Sequence, residues 1–167
     1  MITSIKEFEG LWSHEGGSTL KLLRNLTDAS LKQAVTPQDR TLGRMAWHLA
    51  TSLTEMMSRT GLKLAGPAHD APVPKTAREI ADAYEVASKS MVEQIQKNWN
   101  DQTLLIEDDM YGEKWKRGMT LTVLAMHQTH HRGQMTVLMR QAGLPVTGVY
   151  GPAREEWGAH GGQPPEV

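Results

Sequence analysis

The segment from Met119 to Ala142 constrains the fold more than any other part of the chain, because it contains no Asp, Glu or Lys. Its formal charges are confined to Arg132 and Arg140. A helix with so few charged side chains is mostly enclosed by protein. Gly143 and Pro145 follow directly and are typical of a helix end. The segment therefore predicts a helix that packs inside a bundle of other helices.

Three other segments have apolar residues at helical spacing and supply the partners for this helix. Two of them open with a capping-box pattern, Ser4 with Glu7 and Thr76 with Glu79. We predict helices from Ser4 to about Leu26, from Asp39 or Thr41 to Thr60, from Thr76 to about Trp99, and from Met119 to Ala142. Gly16-Gly17 interrupts the first helix, which indicates either a bend or a close approach of another element.

The connections between these helices complete the predicted architecture. Residues 65–75 contain Gly66, Pro67, Pro72 and Pro74 and predict an ordered crossover loop. Tyr111-Gly112 predicts a turn or short hairpin, and Ala153–Trp157 a further helical turn or two. The fold class is therefore all-α: a four-helix bundle with a long connection between helices two and three and a short C-terminal helix. We expect one domain over residues 1–167, because no composition shift or repeat divides the chain.

Composition excludes several classes of function. The chain has no cysteine, which excludes disulfide scaffolds, thiolate metal sites and a cysteine nucleophile. A net charge of −1 predicts no nucleic-acid partner and no attraction to an anionic membrane. The uncharged run from Met119 to His131 is too short for a membrane span, and the N-terminus lacks the pattern of a signal peptide. We expect a cytoplasmic protein.

Two histidines on the fourth helix are the strongest chemical signal. At 100° per residue, His131 lies about 40° from His127, and both fall on the apolar arc of the helix. Imidazoles at positions i and i+4 can point at one ion, which is why this spacing recurs in helical metal sites. A pair of core histidines satisfied by hydrogen bonds explains the pattern equally well. His130 lies at the edge of the same arc and is read as a flanking residue.

A third ligand would have to come from another helix. His48 lies at the edge of the apolar arc of the second helix, on one stripe with Ser52 and Glu55. His14 on the first helix is a competitor, and periodicity does not choose between them. His69 and His160 lie in loop-like sequence, where we expect them to be solvated.

The sequence resembles the DinB-like (YfiT-like) metalloprotein superfamily in two blocks. His127-Gln-Thr-His-His131-Arg-Gly-Gln134, followed by AGLPVTGVYGP, is similar to the closing motif of that family, and TLGRMAWHLATS is similar to its helix-two motif. The blocks cover positions 119–157 and 40–60. The resemblance implies that His48, His127 and His131 bind one divalent metal ion, which raises His48 above His14. It also implies a homodimer.

The resemblance further implies a metal-dependent transferase that activates an external low-molecular-weight thiol toward an electrophilic small-molecule substrate. Three neutral ligands suit Zn, Ni, Fe or Co by ligand type. One alternative is a metal-dependent hydrolase that uses metal-activated water as nucleophile. Others are a non-catalytic metal-binding stress protein and a structural bundle whose histidines are incidental.

Weaker candidates for catalytic roles surround this triad. Glu55 is the acid that the helix geometry places nearest, although a solvated surface Glu explains it better. Gln134 could hydrogen-bond a ligand histidine or a substrate, and Tyr150 in the GVYGP turn could fold back over the mouth of the site. Arg132 points away from the histidines, so we predict that it clamps a neighbouring helix or the C-terminal tail.

Overall fold

The structure is a computed structural model that describes residues 1–166, so Val167 at the end of the predicted domain lies outside the described residues. Its long helices are α1 (Ile5–Arg24), α2 (Leu42–Ser58), α3 (Ala77–Asn98) and α4 (Arg117–Gln141). Three 3-10 helices lie at Asp28–Lys32, Asp101–Leu105 and Arg154–His160. The predicted helical bundle is confirmed, and the C-terminal turn of helix has the 3-10 form.

Side-chain caps fix where three of the helices begin. The hydroxyls of Ser4, Thr41 and Thr76 each accept a hydrogen bond from the backbone N–H three residues later. The predicted capping box is complete at Thr76 and Glu79. At α1 it is not, because the Glu7 carboxylate accepts from the backbone and hydroxyl of Thr3. α4 has no side-chain cap and begins at Arg117, two residues earlier than predicted.

The four helices share one apolar core. Each of α1 and α2 packs against both α3 and α4. Phe8, Leu49, Ile80 and Leu124, one from each helix, are completely buried in it. This arrangement encloses α4 on two sides, which explains why so few charged residues are tolerated along it.

Gly16 marks a close approach of side chains to α1. The helix is continuous through Gly16 and Gly17. A Cβ at Gly16 would lie 2.9 Å from Nε1 of Trp12 and 3.3 Å from the Ser88 hydroxyl on α3. The Trp12 indole donates a hydrogen bond to that hydroxyl (2.9 Å). The space left by the missing side chain is therefore used to bring the indole to Ser88.

A two-stranded hairpin connects α3 to α4. β1 (Glu107–Met110) pairs antiparallel with β2 (Glu113–Lys116), and the turn lies at Tyr111-Gly112, as predicted. Tyr111 has φ of 62°, a conformation that non-glycine residues rarely adopt. Its hydroxyl donates a 2.6 Å hydrogen bond to Glu55 on α2, which holds the tip of the hairpin against that helix.

Among residues 1–166, no helix is both long enough and apolar enough to cross a membrane.

Candidate metal centre

The packing of α2 against α4 brings three imidazoles together. Nε2 of His127 lies 3.1 Å from Nε2 of His48 and 3.1 Å from Nε2 of His131. One ligand atom from each of the three lies within 4.8 Å of the others. This group of three forms a half-buried cluster in which each ring faces the edge of the next.

A buried amide sets the register between the two helices. Gln128 follows His127 and is completely buried. Its Nε2 donates a 3.2 Å hydrogen bond to the backbone carbonyl of Leu49, the residue after His48. This contact ties the backbone beside His48 to the turn of α4 that carries His127, so the imidazoles face each other across the helix interface.

A second amide orients His131. The side-chain oxygen of Gln134 lies 2.7 Å from Nδ1 of His131. A carbonyl oxygen can only accept, so Nδ1 carries the proton and Nε2 presents its lone pair to the cluster. This tautomer is the one that binds a metal through Nε2. The predicted contact between Gln134 and a candidate ligand histidine is therefore present.

The three imidazoles are neutral at pH 7. Burial, together with the neighbouring His127 and His131, lowers the pKa of His48 to about 4. Burial, together with His131 and His130, lowers the pKa of His127 to about 4. The pKa of His131 is also lowered, chiefly by burial. Arg40 adds a positive charge that lowers the pKa of all three. Neutral imidazole is the form that coordinates metals.

The donor set fits a divalent ion. Imidazole nitrogens bound at about 2.0–2.1 Å with tetrahedral or octahedral angles lie about 2.9–3.4 Å apart, a range that contains the two 3.1 Å separations. A single N–H placed among three converging nitrogens cannot satisfy all of them, whereas a cation accepts all three lone pairs. His127 Nδ1 has no hydrogen-bond partner within residues 1–166, so this ligand lacks the orienting contact that His131 has.

Glu55 is engaged in contacts outside the histidine cluster. One carboxylate oxygen accepts from the Tyr111 hydroxyl, and the other forms a 2.6 Å ion pair with Arg59. The Arg59 guanidinium also stacks over the Tyr111 ring at 4.2 Å. These contacts hold Glu55 against the hairpin, and it is half-buried where the better-supported expectation was a solvated side chain.

Tyr150 and Arg132 lie on the α1 side of α4. Arg132 is buried and forms a 2.6 Å ion pair with the buried carboxylate of Glu15, so the predicted clamp to a neighbouring helix is confirmed. The Tyr150 hydroxyl hydrogen-bonds to Glu15 and lies 3.4 Å from Arg132. Tyr150 thus covers this ion pair, and its hydroxyl makes no hydrogen bond to the cluster of three histidines.

Arg132 lies on the face of α4 opposite the apolar arc that carries the histidines. α1 packs against that face and buries the guanidinium, so the predicted clamp lies inside the bundle. Glu15 was not singled out from the sequence. Its spacing from Trp12 and Thr19 places it on the buried face of α1, and that placement was the available signal.

The other histidines lie outside the cluster. His14 is exposed, with its ring 5.5 Å from that of Tyr150. His130 is exposed beside His131, at 4.9 Å between ring centres, as expected of a flanking residue. Among residues 1–166, the group of His48, His127 and His131 alone has the spacing of a metal site formed by three His, Asp or Glu side chains.

A groove of about 490 Å³ opens beside His131 and was not anticipated from the sequence. Gln134 and Arg40 also line it, together with apolar side chains of α4. Arg40 is exposed and directly precedes Thr41, the N-cap of α2. The basic residues near the start of the helix that carries His48 were the sequence signal for this feature.

Known proteins match this chain over nearly its whole length. The sequence profile of the DinB family matches residues 1–166. The protein YrdA of Bacillus subtilis (strain 168) is 46% identical over 167 residues, which is 100% of both chains.

Two solved structures share the fold. A DinB-like protein from Bacillus cereus ATCC 10987 superposes with a TM-score of 0.87 at 47% identity, covering 90% of this chain and 100% of the other. The DinB-like protein YjoA of Bacillus subtilis superposes with a TM-score of 0.62 over 80% of this chain and 92% of the other. At 18% identity, YjoA is evidence for the fold alone. The profile match and the relatives at 46% and 47% identity agree, and the chain belongs to the DinB family.

Proposed function

We propose that this protein is a metal-dependent transferase that joins an external low-molecular-weight thiol to an electrophilic small molecule. The observation that supports it best is the convergence of three neutral imidazoles with no carboxylate in the group. Three protein ligands leave coordination positions open, which is typical of catalytic rather than structural sites. The ligands proposed are His48, His127 and His131, and Zn, Ni, Fe and Co all suit them.

A divalent ion at this cluster would supply the positive charge that holds a thiol as its thiolate at neutral pH. The chain contains no cysteine, so the sulfur nucleophile has to arrive from solution. In the transfer, a bond forms between sulfur and the electrophilic carbon. The leaving group departs with its electron pair, and the thiol proton passes to solvent.

The residues around the cluster would orient the ligands and limit access of water. Gln134 holds His131 in the tautomer that presents Nε2. Met45 and Leu138 are buried beside His131 and form apolar surface there. Low local polarity strengthens the attraction between a thiolate and a cation. The contacts of Glu55 with Tyr111 and Arg59 occupy both carboxylate oxygens, so we assign it no proton transfer.

The experiment is a thiol screen with cobalt-loaded protein. We expect a thiol to release a proton and to produce a sulfur-to-metal charge-transfer band. With 1-chloro-2,4-dinitrobenzene as electrophile, chloride release should require both the thiol and the metal. The His131→Ala variant, which lacks one proposed ligand, should show neither effect. Absence of any spectral change across a panel of thiols would contradict the transferase proposal.

Two other functions are defined outcomes of the same screen. Cleavage of an ester or amide without thiol would favour the metal-dependent hydrolase. Stoichiometric metal without turnover of either kind would favour the non-catalytic metal-binding protein. We propose a small-molecule substrate rather than nucleic acid because the net charge is −1.

A further inference from the structure

Within the described residues, two arginines near the start of α2 have no carboxylate partner. The chain contains nine arginines. Seven of them form ion pairs: Arg24, Arg59, Arg78, Arg117, Arg132, Arg140 and Arg154. Within residues 1–166, neither Arg40 nor Arg44 has a carboxylate oxygen within 4.0 Å. Most arginines of the described chain are paired, whereas these two place positive charge beside His48 without an ion pair.

Arg40 lines the groove that opens beside His131. The groove, of about 490 Å³, is also lined by Val35, Val137 and Leu138. Val35 and Val137 are more than half exposed, so this apolar wall is open to solvent. A guanidinium next to an open apolar wall is suited to a ligand with one charged oxygen group and a short hydrocarbon body.

The start of α2 adds to the positive potential. The first turn of the helix contains no acidic residue, and its N-terminal N–H groups carry partial positive charge. Asp39 also lines the groove and opposes this field. Its Oδ2 accepts hydrogen bonds from the Thr36 backbone (3.2 Å) and hydroxyl (2.8 Å), so it is engaged within its own turn and not with Arg40.

We propose that this groove binds the carboxylate of a small organic acid, with Arg40 as the residue that receives the carboxylate. The hydrocarbon part of the acid lies along Val35, Val137 and Leu138. A guanidinium can donate two parallel hydrogen bonds to a carboxylate, which fixes its orientation. One part of this proposal rests on the proposed function, namely that the carboxylate belongs to the thiol or to the electrophile and is held beside His131. Binding of the acid itself does not need a metal.

The first test is calorimetry on the full chain after treatment with a chelator, so that no carboxylate can bind through a metal. Hexanoate should bind, while hexan-1-ol and inorganic phosphate should bind at least about fivefold more weakly, because each lacks one of the two features of the ligand. Arg40→Gln should weaken hexanoate binding by about fivefold or more. Arg44→Gln is the matched control, since it removes an unpaired positive charge without removing a residue that lines the groove, and it should change binding by less than about twofold.

Several results would overturn the proposal. Equal loss in Arg40→Gln and Arg44→Gln would mean general charge attraction instead of a site. If hexan-1-ol binds as tightly as hexanoate, the carboxylate is not recognised. If inorganic phosphate binds as tightly as hexanoate, the apolar wall does not contribute to binding. Arg40 is exposed, so we expect an unchanged melting temperature for Arg40→Gln, and this measurement separates lost binding from lost folding.

A second test separates this proposal from the proposed function. In cobalt-loaded protein, 4-mercaptobutyrate should bind more tightly than 4-mercaptobutan-1-ol, and Arg40→Gln should remove the difference. Hexanoate binding without any effect of either thiol on the cobalt spectrum would leave the groove assignment intact and contradict the transferase. Equal binding of both thiols together with no hexanoate binding would contradict the groove assignment alone.

Discussion

Gln134 accepts a hydrogen bond from Nδ1 of His131, the residue one turn before it on α4 (2.7 Å). This contact selects the tautomer that points Nε2 at His127. Gln134→Ala should therefore weaken metal binding without removing a ligand. We expect a loss of about 10–100-fold in affinity, measured by competition with a chelator. Thr136→Ala on the same helix is the control, because its hydroxyl donates to the backbone carbonyl of Gly133 and makes no contact with the histidine cluster among residues 1–166. Unchanged affinity in Gln134→Ala would contradict the orienting role.

Removal of a proposed ligand should abolish stoichiometric metal. We expect one divalent ion per chain in the natural protein and none in His48→Ala or His131→Ala, measured by elemental analysis. His14→Ala is the sharpest control, since His14 was the competitor for the third position and lies exposed beside Tyr150. Loss of metal in His14→Ala, or full occupancy in His131→Ala, would refute the assignment.

The buried ion pair between Arg132 and Glu15 should matter for stability. Glu15→Gln leaves the Arg132 guanidinium buried without its counter-charge, which we expect to cost about 3–5 kcal/mol of unfolding free energy. Glu155→Gln breaks the more exposed pair with Arg140 and should cost less than about 1 kcal/mol. Chemical denaturation measures both. If the two variants lose similar amounts of unfolding free energy, burial of the pair between Arg132 and Glu15 does not increase its contribution to stability.

The free energy of unfolding of the metal-free protein should decrease as the pH is lowered from about 6.5 toward 4. His48 and His127 have pKa values of about 4 when folded, against 6.5 in the unfolded chain. Between these values the unfolded state binds more protons, so stability decreases as pH falls from about 6.5 toward 4. Denaturation at several pH values measures the slope, which should be shallower in His48→Gln. If the free energy of unfolding of the metal-free, unsubstituted protein is constant from pH 7 to pH 5, the lowered pKa values of the cluster are contradicted.

The homodimer stays a prediction with one supporting feature. Met126 on α4 is 64% exposed, and Leu11 on α1 and Tyr150 are exposed around the same surface. We expect light scattering at micromolar concentration to give twice the chain mass. Met126→Glu should shift the equilibrium toward the monomer, whereas Val86→Glu, on the exposed side of α3, should not. A monomeric natural protein would rule the assembly out.

Much of the architecture follows from local sequence patterns. Helix periodicity, the caps at Ser4 and Thr76, and Gly143 after α4 define where the elements lie, because these signals act within a few residues. The proximity of His127 and His131 on α4 is also predictable from local sequence, since residues four apart share one helix face. The absence of cysteine excluded a thiolate of the protein itself, as nucleophile or as metal ligand, by composition alone.

Only the tertiary structure decided which residues meet across helices. Periodicity left His48 and His14 as rivals, and the family resemblance favoured His48. The packing of α2 against α4 placed His48 in the cluster, while His14 stayed exposed beside Tyr150. The helical angle predicted that Arg132 clamps a neighbouring helix or the tail, and the packing of α1 against α4 made Glu15 its partner. The tertiary structure also placed Arg40 in the lining of the groove beside His131. A helix period fixes the face of a residue but not the neighbour that covers it, because helix packing depends on contacts between residues far apart in the chain.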